Sequence, residues 1–233
     1  GYGVTKGEAF AKGLGDMWAK GLFPHPFTQL GYTHRIGSFV ADDPDAKPVL
    51  ACAKTWTAAT KGEMPKFPGR GVSDTKEIVT DTKAGDITVS TPRTAAVCSV
   101  DRHDLVAGPL AVSSATTFCS VSASAMDGAP LAESKRVLVL HLTDVLNTGA
   151  TFAKDNRCDL KDWGKLPYLA KAGSAKVALR NANRGLKVYA VGSDGTRLRE
   201  VPVTYADGTY RFTAKVAAGK GKDAPTMAYE LAK

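Results

Sequence analysis

The spacing of apolar residues changes near residue 70, and this change limits what the chain can fold into. Beyond it, apolar and polar residues alternate in short runs such as 94–100 and 209–215. The pairs Asp127-Gly128 and Asp207-Gly208 separate runs of this kind, and Asp-Gly between alternating runs is a strong hairpin signal. The pattern predicts a mainly β fold, namely an antiparallel β-sandwich of about ten strands. Strands are predicted at 77–82, 86–90, 94–100, 111–113, 116–125, 136–143, 175–179, 186–191, 199–205, 209–215 and 227–231.

Before residue 70, the spacing of apolar residues is typical of helices rather than strands. Apolar residues at helical spacing predict helices over 5–20 and 45–61, the first beginning at a Thr5 cap with Glu8 three residues later. A stretch rich in proline near residues 64–69 is typical of a linker. We therefore expect a small helical and irregular lobe over 1–68 and a sandwich domain over 69–233.

Charge and hydropathy argue against nucleic acid as a partner and exclude a membrane-spanning helix. The formal net charge is +8, but the 31 Lys and Arg residues form no block, so the sequence predicts no basic stripe for nucleic acid. No apolar run approaches the roughly 18–20 residues of a membrane span. The chain begins without Met or a basic and apolar leader, so we expect it to be the interior or mature part of a longer protein.

The cysteines and His141 are predicted to be structural. Cys98 and Cys119 lie in predicted strands, and a disulfide can join them if those strands are neighbours; the favoured alternative is two small buried apolar residues. His141 shares one face of its strand with valines, which favours a core or interface histidine with satisfied hydrogen bonds.

Metal binding has weak support in the sequence. No Cys-x-x-Cys pair or nearby histidine predicts zinc, so we expect no metal site and no cofactor. Calcium is the one possible ion, because Asp155, Asp159 and Asp162 could supply oxygen ligands, although an exposed solvated loop is the favoured interpretation.

Aromatic residues are the candidate ligand-binding residues, because a sugar ring has an apolar face that stacks on an aromatic ring. One group lies near the start of the chain and the other on a segment predicted to be irregular, where Trp163 either contacts a ligand or plugs one end of the sandwich. For the first group, the alternative is the core of a two-helix lobe. The candidates are Trp18, His25, Tyr32, His34, Trp163 and Tyr168.

Several segments together resemble a known family of enzymes. They include Ser73-Asp74-Thr75, the run 85–94, the run 126–131, the run 134–149 and Leu186-Lys187-Val188-Tyr189-Ala190. The set resembles the C-terminal part of bacterial glycoside hydrolases of the agarase and β-galactosidase-like kind, in which a β-sandwich follows a (β/α)8 barrel.

The resemblance implies a function for the chain as well as a fold. Residues 1–68 resemble the end of the barrel, and the family's catalytic carboxylates lie on earlier strands, so no catalytic residue is assigned here. The implied protein is a secreted or periplasmic carbohydrate-active module that binds a poly- or oligosaccharide, with an upstream catalytic barrel as its partner. Two other hypotheses stay open: a complete glycosidase or esterase with an unrecognised site, and a purely structural sandwich.

Overall fold

The computed structural model describes residues 69–155, 157 and 159–233, and these residues form short antiparallel strands. They contain 18 strands and one short 3-10 helix at Gly221–Asp223, with no α-helix in this part of the chain. The strands are β1 (Arg70–Val72), β2 (Ile78–Asp81), β3 (Asp86–Ser90), β4 (Thr94–Ser99), β5 (Leu105–Ala107), β6 (Leu110–Ser113), β7 (Cys119–Ala125), β8 (Arg136–Leu142), β9 (Val145–Thr148), β10 (Thr151–Phe152), β11 (Leu160–Asp162), β12 (Lys165–Ala170), β13 (Gly173–Arg180), β14 (Lys187–Val191), β15 (Arg197–Val201), β16 (Val203–Ala206), β17 (Thr209–Val216) and β18 (Ala228–Ala232).

The predicted mainly β, antiparallel fold is therefore confirmed for the described residues. The predicted helical lobe, with helices over 5–20 and 45–61, lies outside them. The chain divides into two compact units, Gly1–Lys76 and Glu77–Lys233. In the first, the described part holds β1 and a turn in which the Lys76 amide donates to the Ser73 carbonyl over 2.9 Å.

The second unit is built from two antiparallel sheets that share one hydrophobic core. The larger sheet has the order β2-β3-β4-β7-β8-β18-β14-β15, and the smaller one has the order β16-β17-β13-β6-β5. Alternate residues of both sheets point inward and are almost completely buried. Examples are Val121 and Val139 in the larger sheet and Leu110, Val177 and Leu179 in the smaller one. The arrangement is sandwich-like, and burial of these side chains is its main source of stability.

Tyr229 joins the two sheets through both its ring and its hydroxyl. It extends from the larger sheet, and its ring lies 5.7 Å from the ring of Phe212 on β17. Its hydroxyl accepts a hydrogen bond from the Lys215 amide over 2.7 Å and donates one to the Lys215 carbonyl over 3.0 Å. A buried tyrosine hydroxyl thus has both partners that it needs, and the spacing of the sheets is fixed at this point.

One predicted strand is two strands in two different sheets. The run 199–205 was predicted to be continuous, but β15 ends at Val201 in the larger sheet and β16 begins at Val203 in the smaller one. Pro202 lies between them and has no N–H to give to a ladder of hydrogen bonds. The chain crosses from one sheet to the other at this residue.

Four strands lie outside both sheets and form an excursion between β8 and β13. Strand β9 pairs with β12 and β10 pairs with β11, both antiparallel. The sequence pattern predicted an irregular segment here, and this prediction is wrong for the residues in these strands. We call residues 145–170 the arm.

Candidate binding site on the arm

The arm is a long hairpin that is bent where β9 leads into β10 and β11 into β12. Gly149 and Gly164 lie at this bend with φ angles of +79° and +68°. Gly164 has no room for a side chain, because an added Cβ would meet the Thr148 carbonyl oxygen and lie 2.6 Å from the Ala150 nitrogen. The close approach of the two backbones at the bend therefore requires glycine at position 164.

The outer part of the arm folds back toward its base. Arg157, in the loop at the tip, forms an ion pair with Asp144, the residue before β9. Its guanidinium group also lies 5.9 Å from the centre of the Phe152 ring. Strands rise about 3.3 Å per residue, so a straight hairpin would hold Arg157 and Asp144 tens of ångströms apart. The bend at the two glycines brings them together.

Trp163 lies at this bend with a fixed backbone and a free side chain. Its carbonyl accepts a hydrogen bond of 2.8 Å from Asn147 Nδ2 on the opposite strand. The next amide, that of Gly164, donates to Asp162 Oδ1 over 2.8 Å. The Trp163 side chain is 75% exposed. It is therefore not a plug over the core, and its indole is presented to solvent on an ordered turn.

Tyr168 lies on β12, the strand that follows this bend, and its side chain is also exposed to solvent. It is paired in register with Asn147, the residue that holds the Trp163 carbonyl, so both aromatic residues adjoin one residue of β9. Tyr168 is 68% exposed. Every residue of β12 is exposed, including Leu166 and Leu169, and Val145 on β9 is exposed as well. Thr148 Oγ1 donates to the Pro167 carbonyl over 2.7 Å and ties the two strands together.

The arm thus carries a solvent-exposed apolar surface on a defined scaffold. Several exposed large apolar side chains on one short hairpin mark a binding site more often than an isolated one does. Sequence reasoning named Trp163 and Tyr168 as candidates, and this stays a prediction. It did not name Asn147, which binds the Trp163 carbonyl, or the exposed aliphatic residues of β12. Of the other predicted site residues, Trp18, His25, Tyr32 and His34 lie outside the described residues.

His141 is buried in the core, as the alternation of its strand predicted. Neither ring nitrogen has a hydrogen-bond partner among the described residues, so the prediction of a satisfied histidine is wrong. Desolvation by the surrounding core lowers the pKa of His141. A neutral, enclosed imidazole of this kind has no access to a ligand, so His141 is not part of a binding site.

Cys98 and Cys119 cannot form a disulfide in this fold. Their strands are neighbours, as the disulfide hypothesis required, but Cys119 pairs with Ser99 on the core side while Cys98 lies on the outer side. Side chains on opposite faces of a sheet point apart. Both thiols are free, and burial raises the pKa of each, so neither is an activated nucleophile.

Two glutamates on the larger sheet have basic partners. Glu230 receives hydrogen bonds of 2.6 Å from both Arg136 and Arg197. Burial by itself raises the pKa of Glu230, but the two guanidinium groups outweigh burial and hold the pKa below its ordinary value. Glu200 pairs with Lys187 over 2.9 Å. These contacts give both carboxylates structural roles in the sheet.

Calcium has no support from the geometry. No group of three or more His, Cys, Asp or Glu side chains in the described part of the chain could hold a metal ion. Asp155, Asp159 and Asp162 all lie in this part, and Asp162 Oδ1 is already used by the Gly164 amide. The three aspartates therefore do not assemble into a calcium site.

Comparison of the chain with protein-family models, with curated protein sequences and with solved structures finds no significant match. The resemblance to glycoside hydrolases thus stays a prediction. Among the residues that the structure describes, no helix has the length and apolar character to cross a membrane.

Proposed function

We propose that the chain is a carbohydrate-binding accessory module and that Trp163 is its main contact with the glycan. The single observation that carries this proposal is an indole that is three-quarters exposed on a turn held by Asn147 and Asp162. The implied ligand is a poly- or oligosaccharide, and the implied partner is a catalytic glycoside hydrolase barrel upstream, which would make the whole a secreted or periplasmic enzyme.

Solvation explains why an aromatic residue should dominate such a contact. Sugar hydroxyls are well hydrated, so hydrogen bonds to them add little net free energy. Stacking the apolar face of a sugar on an indole buries apolar surface and desolvates no charge, and is worth about 1–2 kcal/mol per ring. Because the Trp163 backbone is already fixed, little conformational entropy is lost on binding.

The first prediction is that Trp163→Ala weakens glycan binding about tenfold, which corresponds to about 1.4 kcal/mol. The Tm should hardly change, because the side chain lies outside the core. Affinity electrophoresis against a panel of neutral polysaccharides, followed by calorimetry on the responsive one, measures the effect. Trp163→Phe is the matched control and should keep most of the affinity.

Two results would contradict the proposal: a wild-type chain that binds no member of the panel, and a Trp163→Ala variant that binds as the wild type does. Hydrolysis of a chromogenic glycoside by the pure chain would instead favour the complete-hydrolase hypothesis.

A second candidate function is docking to another protein domain. The observation that favours it is the aliphatic character of strand β12, since Leu166 is 68% exposed and Leu169 is 52% exposed. Aliphatic side chains suit a protein surface better than a sugar ring. Leu166→Ser with Leu169→Ser separates the two functions, because it should leave glycan binding intact and abolish protein docking.

A further inference from the structure

The outward face of the smaller sheet carries four exposed basic residues. Lys176 and Arg180 extend from β13, and Arg211 and Lys215 extend from the neighbouring strand β17. We call these four residues the cationic ladder. Their inward-facing neighbours belong to the buried core, so alternation along the two strands places all four on the same side of the sheet.

The register of the two strands spaces these cations regularly. Going along the sheet, each successive cross-strand pair contributes one cation, alternately from β17 and from β13. Successive pairs on one face are about 6.8 Å apart, twice the rise per residue of an antiparallel strand. The four pairs are Lys215 with Ser174, Lys176 with Thr213, Arg211 with Ala178, and Arg180 with Thr209.

No carboxylate of the smaller sheet neutralises this charge. Its strands β5, β6, β13, β16 and β17 contain no Asp or Glu, and within the described residues no ion pair involves the cationic ladder. The larger sheet is different, since Glu230 there holds Arg136 and Arg197. Unpaired charge of one sign on one face creates a field that attracts a ligand of opposite charge.

The middle of the ladder borders a shallow depression of about 290 Å³. Its floor is low because Ala111 and Ala178 have small side chains, and Lys176 and Arg211 line it. The hydroxyl-bearing residues Ser113 and Thr213 also line it. A cation on each strand with hydroxyl donors nearby is a suitable environment for a sulfate or carboxylate group.

We propose that the cationic ladder binds an anionic polysaccharide, a glycan chain that bears sulfate or carboxylate groups at intervals. Four cations in a row match a polymer better than a single small anion. The aromatic residues of these strands, Tyr205, Tyr210 and Phe212, belong to the core or pack against it. No described residue of these strands therefore offers a stacking platform for nucleic-acid bases on this face.

This inference deepens the proposed function and rests on it for the choice of a polysaccharide. It uses a different surface, because the arm belongs to neither sheet. Each surface would bind a different part of the polysaccharide: the aromatic rings of the arm contact sugar faces, and the cationic ladder contacts the charged substituents.

The test compares dextran sulfate with dextran, two polymers of the same backbone that differ in charge. At about 0.15 M salt, where exposed long-range attraction is screened, Lys176→Thr with Arg211→Thr should weaken dextran sulfate binding about tenfold or more and flatten its salt dependence. Threonine suits an exposed strand position. Lys83→Thr with Lys135→Thr is the matched control. Both lysines are exposed and lie outside the smaller sheet, and the double substitution removes the same two positive charges.

The outcomes distinguish the two proposals. If the ladder variant and its control lose equal affinity for dextran sulfate, net charge explains the binding and the ladder inference is wrong, while Trp163-dependent binding of a neutral glycan keeps the proposed function. If the ladder variant loses affinity and Trp163→Ala changes nothing, the ladder stands and the arm proposal fails. Equal ladder-dependent affinity for single-stranded DNA would assign the face to nucleic acid instead.

Discussion

At the scale of single residues, the environments of two histidines shift their pKa values in opposite directions. His141 lies within the core, where desolvation lowers its pKa, whereas His103 lies at the surface, where a hydrogen bond of 2.8 Å to Asp86 raises its pKa. The protonation of these two residues therefore affects stability in opposite directions. His103 stabilises the fold below the ordinary histidine pKa of 6.5, and this contribution is lost as pH rises through its raised pKa.

We predict that His141→Leu raises the free energy of unfolding, most strongly in acid. Below about pH 6.5, His141 binds a proton in the unfolded chain but not in the folded core. The wild type therefore loses stability as pH falls. The variant removes this loss and two buried nitrogens without partners, worth about 1 kcal/mol or more at neutral pH. Urea unfolding from pH 4.5 to 8 measures both effects.

The control is His103→Gln, for which the difference from the wild type should shrink as pH rises. An unfolding profile for His141→Leu that runs parallel to that of the wild type would show that His141 is protonated in the folded core.

At the scale of elements, the arm depends on one glycine. Gly164 adopts a φ of +68° and has the Thr148 and Ala150 backbones against it, whereas Gly149 adopts a φ of +79° with nothing within 4 Å of an added Cβ. The two positions share an unusual backbone conformation but differ in the space around them. They therefore separate conformational strain from steric clash.

We predict that Gly164→Ala opens the bend and exposes the arm to protease, while Gly149→Ala does so much less. In the control, Gly149→Ala, the only cost is that alanine must adopt the left-handed backbone conformation, which is worth about 1–2 kcal/mol. Limited trypsin digestion followed by mass spectrometry should show faster cleavage after Lys154, Arg157, Lys161 or Lys165 in Gly164→Ala. The Tm should change little, because no residue of the arm belongs to the buried core cluster. Equal protease resistance of both variants would contradict this role of Gly164.

The elements also show what the sequence could predict. Strand β3 has its predicted bounds, and the Asp207-Gly208 turn has positive φ at both residues, because local alternation and turn chemistry determine these features. The crossing at Pro202 was missed because alternation continues through it. Strands β9 to β12 were missed because burial does not alternate along them. The cationic ladder was missed because it combines cations of two strands, and only the strand register brings them together.

At the scale of the whole molecule, the two sheets have unlike outer surfaces. The larger sheet pairs Glu230 with Arg136 and Arg197, whereas the four cations of the smaller sheet form no ion pair with any described residue. Within the described part of the chain, charge is therefore distributed unevenly between the two sheets. Composition alone determines the sign of the net charge, whereas its distribution depends on which residues the strands turn outward.

Strand β18 has a consequence for how the protein is made. It pairs with β8 on one side and β14 on the other, although both are synthesised before it. While a ribosome is still translating the segment before Ala228, these two strands have no partner to join them, and the larger sheet stays in two parts. We predict that nascent chains arrested before residue 228 are digested by protease, and that chains extended past residue 233 by a linker spanning the exit tunnel become resistant. Resistance of the shorter chains would show that the sandwich closes without β18. If the prediction holds, the sandwich closes only after β18 has been translated. Before that point the unpaired edges of β8 and β14 are exposed to aggregation and would depend on chaperones for protection.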